Sequence, residues 1–374
     1  MRRWSTGLVW SALCVLPGPA CWCGGSDDLY RIDVDVALHP YAYDGMLRQM
    51  DDAGIARAVN LAGGPPGEIL STLVQLGELT RSRLLVVANV DWRDVDEADF
   101  GSRAARSLER AVALGARGLM VSRDLGLGVR TRDGRLLAVD DPRLDPLWAQ
   151  AATLNVPVWL SVAAPAAYFE PIDERNVRRA ELEAAPELSL ADGRTPHRDE
   201  LLIARDMVIA RHPRTTFICP ALASAADDLA AVDTLLELFG NVYVDTATAL
   251  SDLGNYPPDV VRSFFLKHQR RLLFGSGLDV NEKNARLGSP AQPAQTSEEI
   301  QQFYTGHWRY FETLDPDVAN PIPIQSDSTR QGLGLPRATL HAIYHGNAER
   351  LLRLATVSAT DFLVVPPAAA AHSP

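Results

Sequence analysis

From residue 30 onward, short β-branched apolar runs alternate with longer amphipathic ones. Runs that stay apolar throughout predict strands covered on both faces, whereas apolar positions spaced by three and four predict helices. The pattern predicts strands over 30–38, 58–61, 84–90, 118–121, 156–162, 215–219, 241–245 and 271–275. Helices are predicted over 44–53, 66–81, 102–114, 145–154, 200–211, 225–239 and 258–268, with a last one over 337–353. Gly115 ends the third of these, and Thr195 with Pro196 precedes the helix at 200. Eight strand-then-helix units with no internal repeat predict an α/β protein whose parallel sheet closes into a (β/α)8 TIM barrel. Longer insertions at 125–143, 163–196 and 279–336 follow strands four, five and eight, the end of such a barrel that carries function.

The barrel is expected to occupy 30–355, with flanks of a different kind. Arg2 and Arg3 precede an apolar run over 7–16, then Pro17, Gly18, Pro19 and Ala20. That is the layout of a secretory signal over 1–20, too short to span a bilayer. Residues 21–29 read as an exposed linker and 356–374, rich in Pro and Ala, as a disordered tail. Cys21 follows a small residue and resembles the lipidated cysteine of bacterial lipoproteins, although Gly18 stands where such signals carry leucine. Two readings stay open: a periplasmic or outer-surface lipoprotein tethered to the membrane through Cys21, and plain export. The rest of a twin-arginine signal is missing.

Composition narrows the function classes. The chain has 374 residues, 47% hydrophobic and 22% charged, which suits a large buried core. A formal net charge of −11 argues against a nucleic-acid partner, which would need a basic stripe. Four cysteines are too few for a disulfide scaffold, and Cys219 on an apolar strand reads as a small buried hydrophobe.

A series of local motifs sits on this frame: Arg-Ile-Asp-Val-Asp at 31–35, Asp-Pro-Arg-Leu-Asp-Pro-Leu-Trp at 141–148, Val-Pro-Val at 156–158 and Pro-Ala-Ala-Tyr-Phe at 165–169. Ala-Arg-His-Pro-Arg-Thr-Thr-Phe-Ile at 210–218, Asn-Val-Tyr-Val-Asp at 241–245, Phe264 with Phe265, Arg-Leu-Leu-Phe-Gly at 271–275 and Tyr-His-Gly-Asn-Ala-Glu-Arg at 344–350 continue it. In this order and spacing the chain resembles the amidohydrolase-related (amidohydrolase type 2) branch of the amidohydrolase superfamily, over roughly 30–353.

The resemblance implies metal-activated water as the chemistry. Family members hold zinc or a similar divalent metal with a His-x-His pair on strand one, histidines on strands five and six and an aspartate on strand eight. Some add a lysine or glutamate on strand four. An open coordination position then lowers the pKa of bound water, and the strand-eight aspartate takes its proton. In this sequence those positions fall on Asp35 and Ala37, Met120, Ser161, Ala221 and Gly277. Only His39 among the histidines falls near a strand end. His197, His212, His268, His307, His341, His345 and His372 fall on helices, insertions or the tail. The standard metal site is therefore expected to be absent, and no cofactor is expected.

What remains at the mouth supports two expectations. Period-two alternation places Asp33, Asp35 and Ala37 on one face of strand one. Two such carboxylates must be paired, protonated or bound to a cation. They form either a new site, a hard cation held by oxygens or an acid–base pair joined by Asp245 and Asp279 with His39 near, or hydrogen-bonded remnants. Arg178 either binds an anionic ligand or braces its loop. Tyr168, Phe169, Trp308, Tyr310 and Phe311 are either an aromatic lid or insertion packing. Ser161 lacks a histidine at catalytic spacing, and there is neither a phosphate-cradling glycine loop nor a Cys/His cluster. The leading expectation is a pseudoenzyme that binds an unidentified small ligand or protein. The rival is a hydrolase or decarboxylase with a carboxylate-based site. Barrels of the family often pair, which leaves a homodimer open.

Overall fold

The computed structural model describes residues 29–281 and 285–356 apart from the Asp44 side chain. The expected export signal, Cys21, His372 and residues 357–374 lie outside the described residues. Eight parallel strands follow one another in chain order around the core: β1 (Arg31–Leu38), β2 (Ile55–Asn60), β3 (Leu84–Val86, resuming as Ala88–Asn89), β4 (Leu119–Val121), β5 (Val158–Leu160), β6 (Phe217–Cys219), β7 (Val242–Asp245) and β8 (Leu272–Leu273). The break at Val87 lets β3 serve two neighbours. Val87 N–H donates to Asn60 O on one side and Ala88 N–H to Gly118 O on the other.

The ring closes between β8 and β1, where Val34 N–H donates to Phe274 O at 2.9 Å. Strand eight is shorter than the predicted 271–275. The chain kinks through Gly275 and Gly277, then resumes as β9 (Leu278–Val280), which runs parallel to the far end of β1 and turns back antiparallel as β10 (Ala285–Leu287). The positive φ of 73° at Gly277 is a conformation that favours glycine.

Helices wrap the ring: α1 (Tyr43–Ala53), α2 (Glu68–Leu79), α3 (Phe100–Leu114), α4 (Asp145–Leu154), α5 (Arg198–Arg211), α6 (Leu229–Leu238) and α7 (Pro258–His268). α8 (Ser297–Glu312) lies in the last insertion and opens with a capping box between Thr296 and Glu299. α9 (Arg337–His341) continues through a wide turn at Ala342–Gly346 into Asn347–Leu352. That turn leaves the Ile343 carbonyl to accept Phe274 N–H at 3.0 Å, tying the last helix to the closing strand.

Two apolar layers follow from this geometry. Val36, Val86, Val121, Leu160, Phe217 and Val244 face outward and pack with the helices. Ile32, Val34, Val59, Val87, Trp159, Ile218 and Leu273 fill the barrel itself, with Ala348 and Leu352 against them. The barrel is thus a packed core beneath its mouth, as closure at this strand number dictates.

Candidate functional site

Strand β1 does not keep one alternation along its length. Asp33 stands beside Ala58 and Val36 beside Asn60, so β1 carries one residue more than β2 across that interval. Such a bulge resets which way side chains point. Ile32 and Val34 belong to the barrel interior, whereas Val36 and Leu38 belong to the outer layer. Asp33 therefore points outward toward α8 and Asp35 inward, which corrects the single face expected from period two.

Asp33 is buried in a complete hydrogen-bond shell. Its Oδ1 accepts from Asp35 N–H at 3.2 Å and Ser276 N–H at 3.0 Å, and its Oδ2 accepts from the Tyr304 hydroxyl at 2.9 Å. Burial lifts its pKa to about 6, against the opposing pull of those donors. Asp33 is the hydrogen-bonded remnant, satisfied by backbone and a tyrosine.

Asp245 ends β7 and faces inward. Its Oδ1 accepts from Ala221 N–H and Ala247 N–H, each at 3.0 Å. Its Oδ2 is buried with no partner. Burial raises its pKa to about 7 despite the two backbone donors, and the charge of Asp33 adds to the rise. Asp35 is half-buried, and no donor reaches its carboxylate among the described residues. Burial, then the negative charges of Asp245 and Asp33, hold its pKa well above the ordinary carboxyl range. Gly275 marks where the two meet. A Cβ there would lie 3.0 Å from Asp35 Cβ and 3.2 Å from Asp245 Cγ. Asp35 and Asp245 thus converge on one point that only glycine leaves free.

Ala221 opens a run of four left-handed residues, Ala221, Leu222, Ala223 and Ser224, with φ of 53°, 49°, 61° and 57°. Each non-glycine residue there costs about 1–2 kcal/mol. Arg205 Nη1 donates to Ala223 O at 2.6 Å and Arg198 Nη2 to Ser224 O at 2.8 Å, so two guanidiniums from α5 hold the turn. The turn in its place aims Ala221 N–H at Asp245.

The remaining candidates do not join this pair. Asp279 lies on β9 beside Ala37 and opposite Arg286 across the hairpin. Partial burial raises its pKa and the Arg286 charge opposes the rise. Its expected place beside Asp245 is corrected: the kink at 275–277 carries it onto the hairpin. His39 follows β1 and stacks on Tyr41, with ring centroids 5.1 Å apart. Arg178 is 2% exposed and its Nη2 lies 2.7 Å from Asp252 Oδ2. Through Nη2 it braces the β5 insertion against the loop after β7, while its Nε and Nη1 are buried without a partner.

The aromatic lid is also corrected. Tyr310 and Phe311 are buried in the outer apolar layer, and Trp308 packs against it. Tyr168 and Phe169 pack with Leu182, Leu188 and Leu190 inside their own insertion. His212 pairs with Asp145, His268 with Asp233, and His307 lies buried between Phe274 and Phe303. Cys219 is buried in the outer layer, where burial pushes its thiol up to about 12.

Asp35, Ala37, Met120, Ser161, Ala221 and Gly277 are all half-buried, so all six stand at a mouth that solvent reaches. A catalytic zinc takes three nitrogen, sulfur or oxygen ligands and keeps a fourth position open. Ala37, Ala221 and Gly277 bring no side-chain donor, Met120 a weak thioether and Ser161 a neutral hydroxyl. Among the described residues, no three His, Cys, Asp or Glu side chains assemble as a metal-holding group. The residues present do not fit the metal. Gly275, the Ser276 and Tyr304 partners and the left-handed turn escaped the sequence reading. Only Gly275 left a trace there, as a glycine ending an apolar run.

The family model described as amidohydrolase matches residues 32–354. No curated protein matches the sequence. Among solved structures, an uncharacterised TIM-barrel protein from Bordetella bronchiseptica is similar at 17% identity and TM-score 0.50, over 87% of this chain and 99% of that one. A 2,6-dihydroxybenzoate decarboxylase complexed with 2,6-dihydroxybenzoate gives the same identity, TM-score and coverage. At that identity the likeness speaks for the fold alone. With nearly the whole barrel matched by its model, the chain belongs to the amidohydrolase family.

Proposed function

We propose that this chain is an exported amidohydrolase-family barrel that no longer performs metal-dependent hydrolysis and instead binds a small molecule at its mouth. The observation that carries the proposal is the identity of the six half-buried positions, Asp35, Ala37, Met120, Ser161, Ala221 and Gly277, of which one alone bears a carboxylate. Loss of one ligand would retune a metal site; this set leaves nothing to coordinate against. The export part rests on the arginine pair, the apolar run and the small residues of 1–20.

A second reading is favoured by one observation. Asp35 and Asp245 converge at Gly275, and both carry raised pKa values, as an acid–base pair requires. A pair of carboxylates without a neighbouring cation suits a carboxylate substrate poorly, so decarboxylation is the weaker form of that reading.

The test is a turnover screen of esters, lactones, amides and aromatic carboxylates, run with and without added zinc and manganese. The binding reading expects no turnover above the uncatalysed rate in any condition. Metal-dependent turnover abolished by Asp35→Ala would end it. Metal-independent turnover abolished by both Asp35→Asn and Asp245→Asn would select the acid–base reading.

A further inference from the structure

We infer that the mouth takes an organic cation, a primary ammonium carried on a small apolar body, with its N–H groups directed at Asp245 Oδ2 and the Asp35 carboxylate. This deepens the binding reading and rests on it.

Three observations point to that chemistry. The first is a buried acceptor without a donor. Asp245 is fully buried, its Oδ1 is taken by two backbone N–H groups, and its Oδ2 has no partner. A buried oxygen left this way costs about 1–3 kcal/mol, which an incoming donor would recover. The second is convergence. Gly275 lies so close to both side chains that an added Cβ would crowd Asp35 Cβ at 3.0 Å and Asp245 Cγ at 3.2 Å, which puts the two carboxylates within reach of one ligand group. The third is the sign of the local charge. The charges acting on Asp35 are those of Asp245 and Asp33, and the charge acting on Asp245 is that of Asp33. No guanidinium is among the groups acting on either carboxylate: Arg178 pairs with Asp252, and Arg205 with Asp206 and Ala223 O.

The walls then decide between an inorganic and an organic cation. Calcium takes six to eight oxygens and magnesium a near-octahedral shell. At the mouth stand Ala37, Met120, Ala221 and Gly277, which offer apolar contact, and Ser161, whose single neutral hydroxyl falls far short of either shell. An ammonium needs only two or three acceptors, and its apolar body would lie on those side chains. Ammonium–carboxylate hydrogen bonds are charge-assisted and gain strength where water is thinned.

The experiment is isothermal titration of the mature chain with benzylammonium, benzyl alcohol, benzoate and magnesium. Benzylammonium is expected to bind at least tenfold more tightly than either benzyl alcohol or benzoate, and Asp245→Asn to weaken it at least tenfold. Asp35→Asn, at a half-buried position, gives a second variant, and the comparison of probes on the unaltered chain needs no variant. Equal binding of benzyl alcohol, tighter binding of benzoate or magnesium, or no binding of any probe would overturn the inference. Benzyl alcohol or benzoate binding as tightly as benzylammonium, or more tightly, would do so while leaving the binding reading intact. Zinc-dependent turnover in the screen above would remove both.

Discussion

Asp33 and Asp35 lie two residues apart on β1 and belong to two different regions. Asp33 faces the seam between the barrel and α8, where three donors surround it. Asp35 faces the mouth, where another carboxylate acts on it and no donor reaches it among the described residues. The seam satisfies both oxygens of the Asp33 carboxylate. The mouth leaves Asp245 Oδ2 bare, surrounds it with small apolar residues and holds a strained turn above it. Unsatisfied groups and left-handed backbone persist only where the surrounding structure enforces them, and such places are commonly functional. The contrast supports placing the proposed binding site in the mouth.

The contrast can be broken most forcefully at the seam. Asp33→Ala leaves the Tyr304 hydroxyl and the Ser276 N–H without their buried partner, and is expected to cost about 3 kcal/mol or more. Urea unfolding would read it; a change under about 1 kcal/mol would mean that Asp33 is not part of the frame. At the mouth, Gly275→Ala places a methyl against Asp35 and Asp245 and is expected to destabilise by about 1–3 kcal/mol. A variant as stable as the parent would show that the two carboxylates do not meet there.

Acidity sharpens the difference further. Asp33 and Asp245 carry pKa values of about 6 and about 7 in the folded chain against the ordinary 3.8. A raised carboxyl pKa means that the folded state holds its proton more tightly than the unfolded chain. That contribution is whole below about pH 4 and is lost as pH rises through 6 and 7. Thermal melts should give a higher Tm at pH 5 than at pH 8, and Asp245→Asn should narrow the gap; equal melting at both values would contradict the assignment. Asp35→Asn removes one of two like charges and should raise stability at pH 8 by on the order of 1 kcal/mol, measured by the same melts. The smallest effect belongs to the turn. Ala221→Gly relieves a left-handed alanine that is only half-buried, with an expected gain of about 0.5–1 kcal/mol in denaturant midpoint. A loss instead would mean that the turn is not strained.

The barrel was legible in the chain because buried parallel strands and amphipathic helices leave opposite periodicities. The helices at 145–154 and 258–268 fall where the pattern puts them. The site was less legible. A bulge between Asp33 and Val36 leaves no mark in composition, so alternation carried Asp33 to the wrong face. The left-handed run Ala-Leu-Ala-Ser contains no glycine to announce it and exists because Arg198 and Arg205 grip its carbonyls from another helix. Arg178 looked available because its ion-pair partner, Asp252, is distant in sequence. The expected ligand positions were assigned from residue type at strand ends, which requires no knowledge of contacts made elsewhere.

The central claim is that the mouth has exchanged a metal for a bare carboxylate pair. Metal content of the purified protein, measured by mass spectrometry after dialysis from zinc and manganese, tests it most directly. Far less than one metal per chain, unchanged by Asp35→Asn, is the predicted result. One equivalent of tightly held metal that disappears with Asp35→Asn would contradict it.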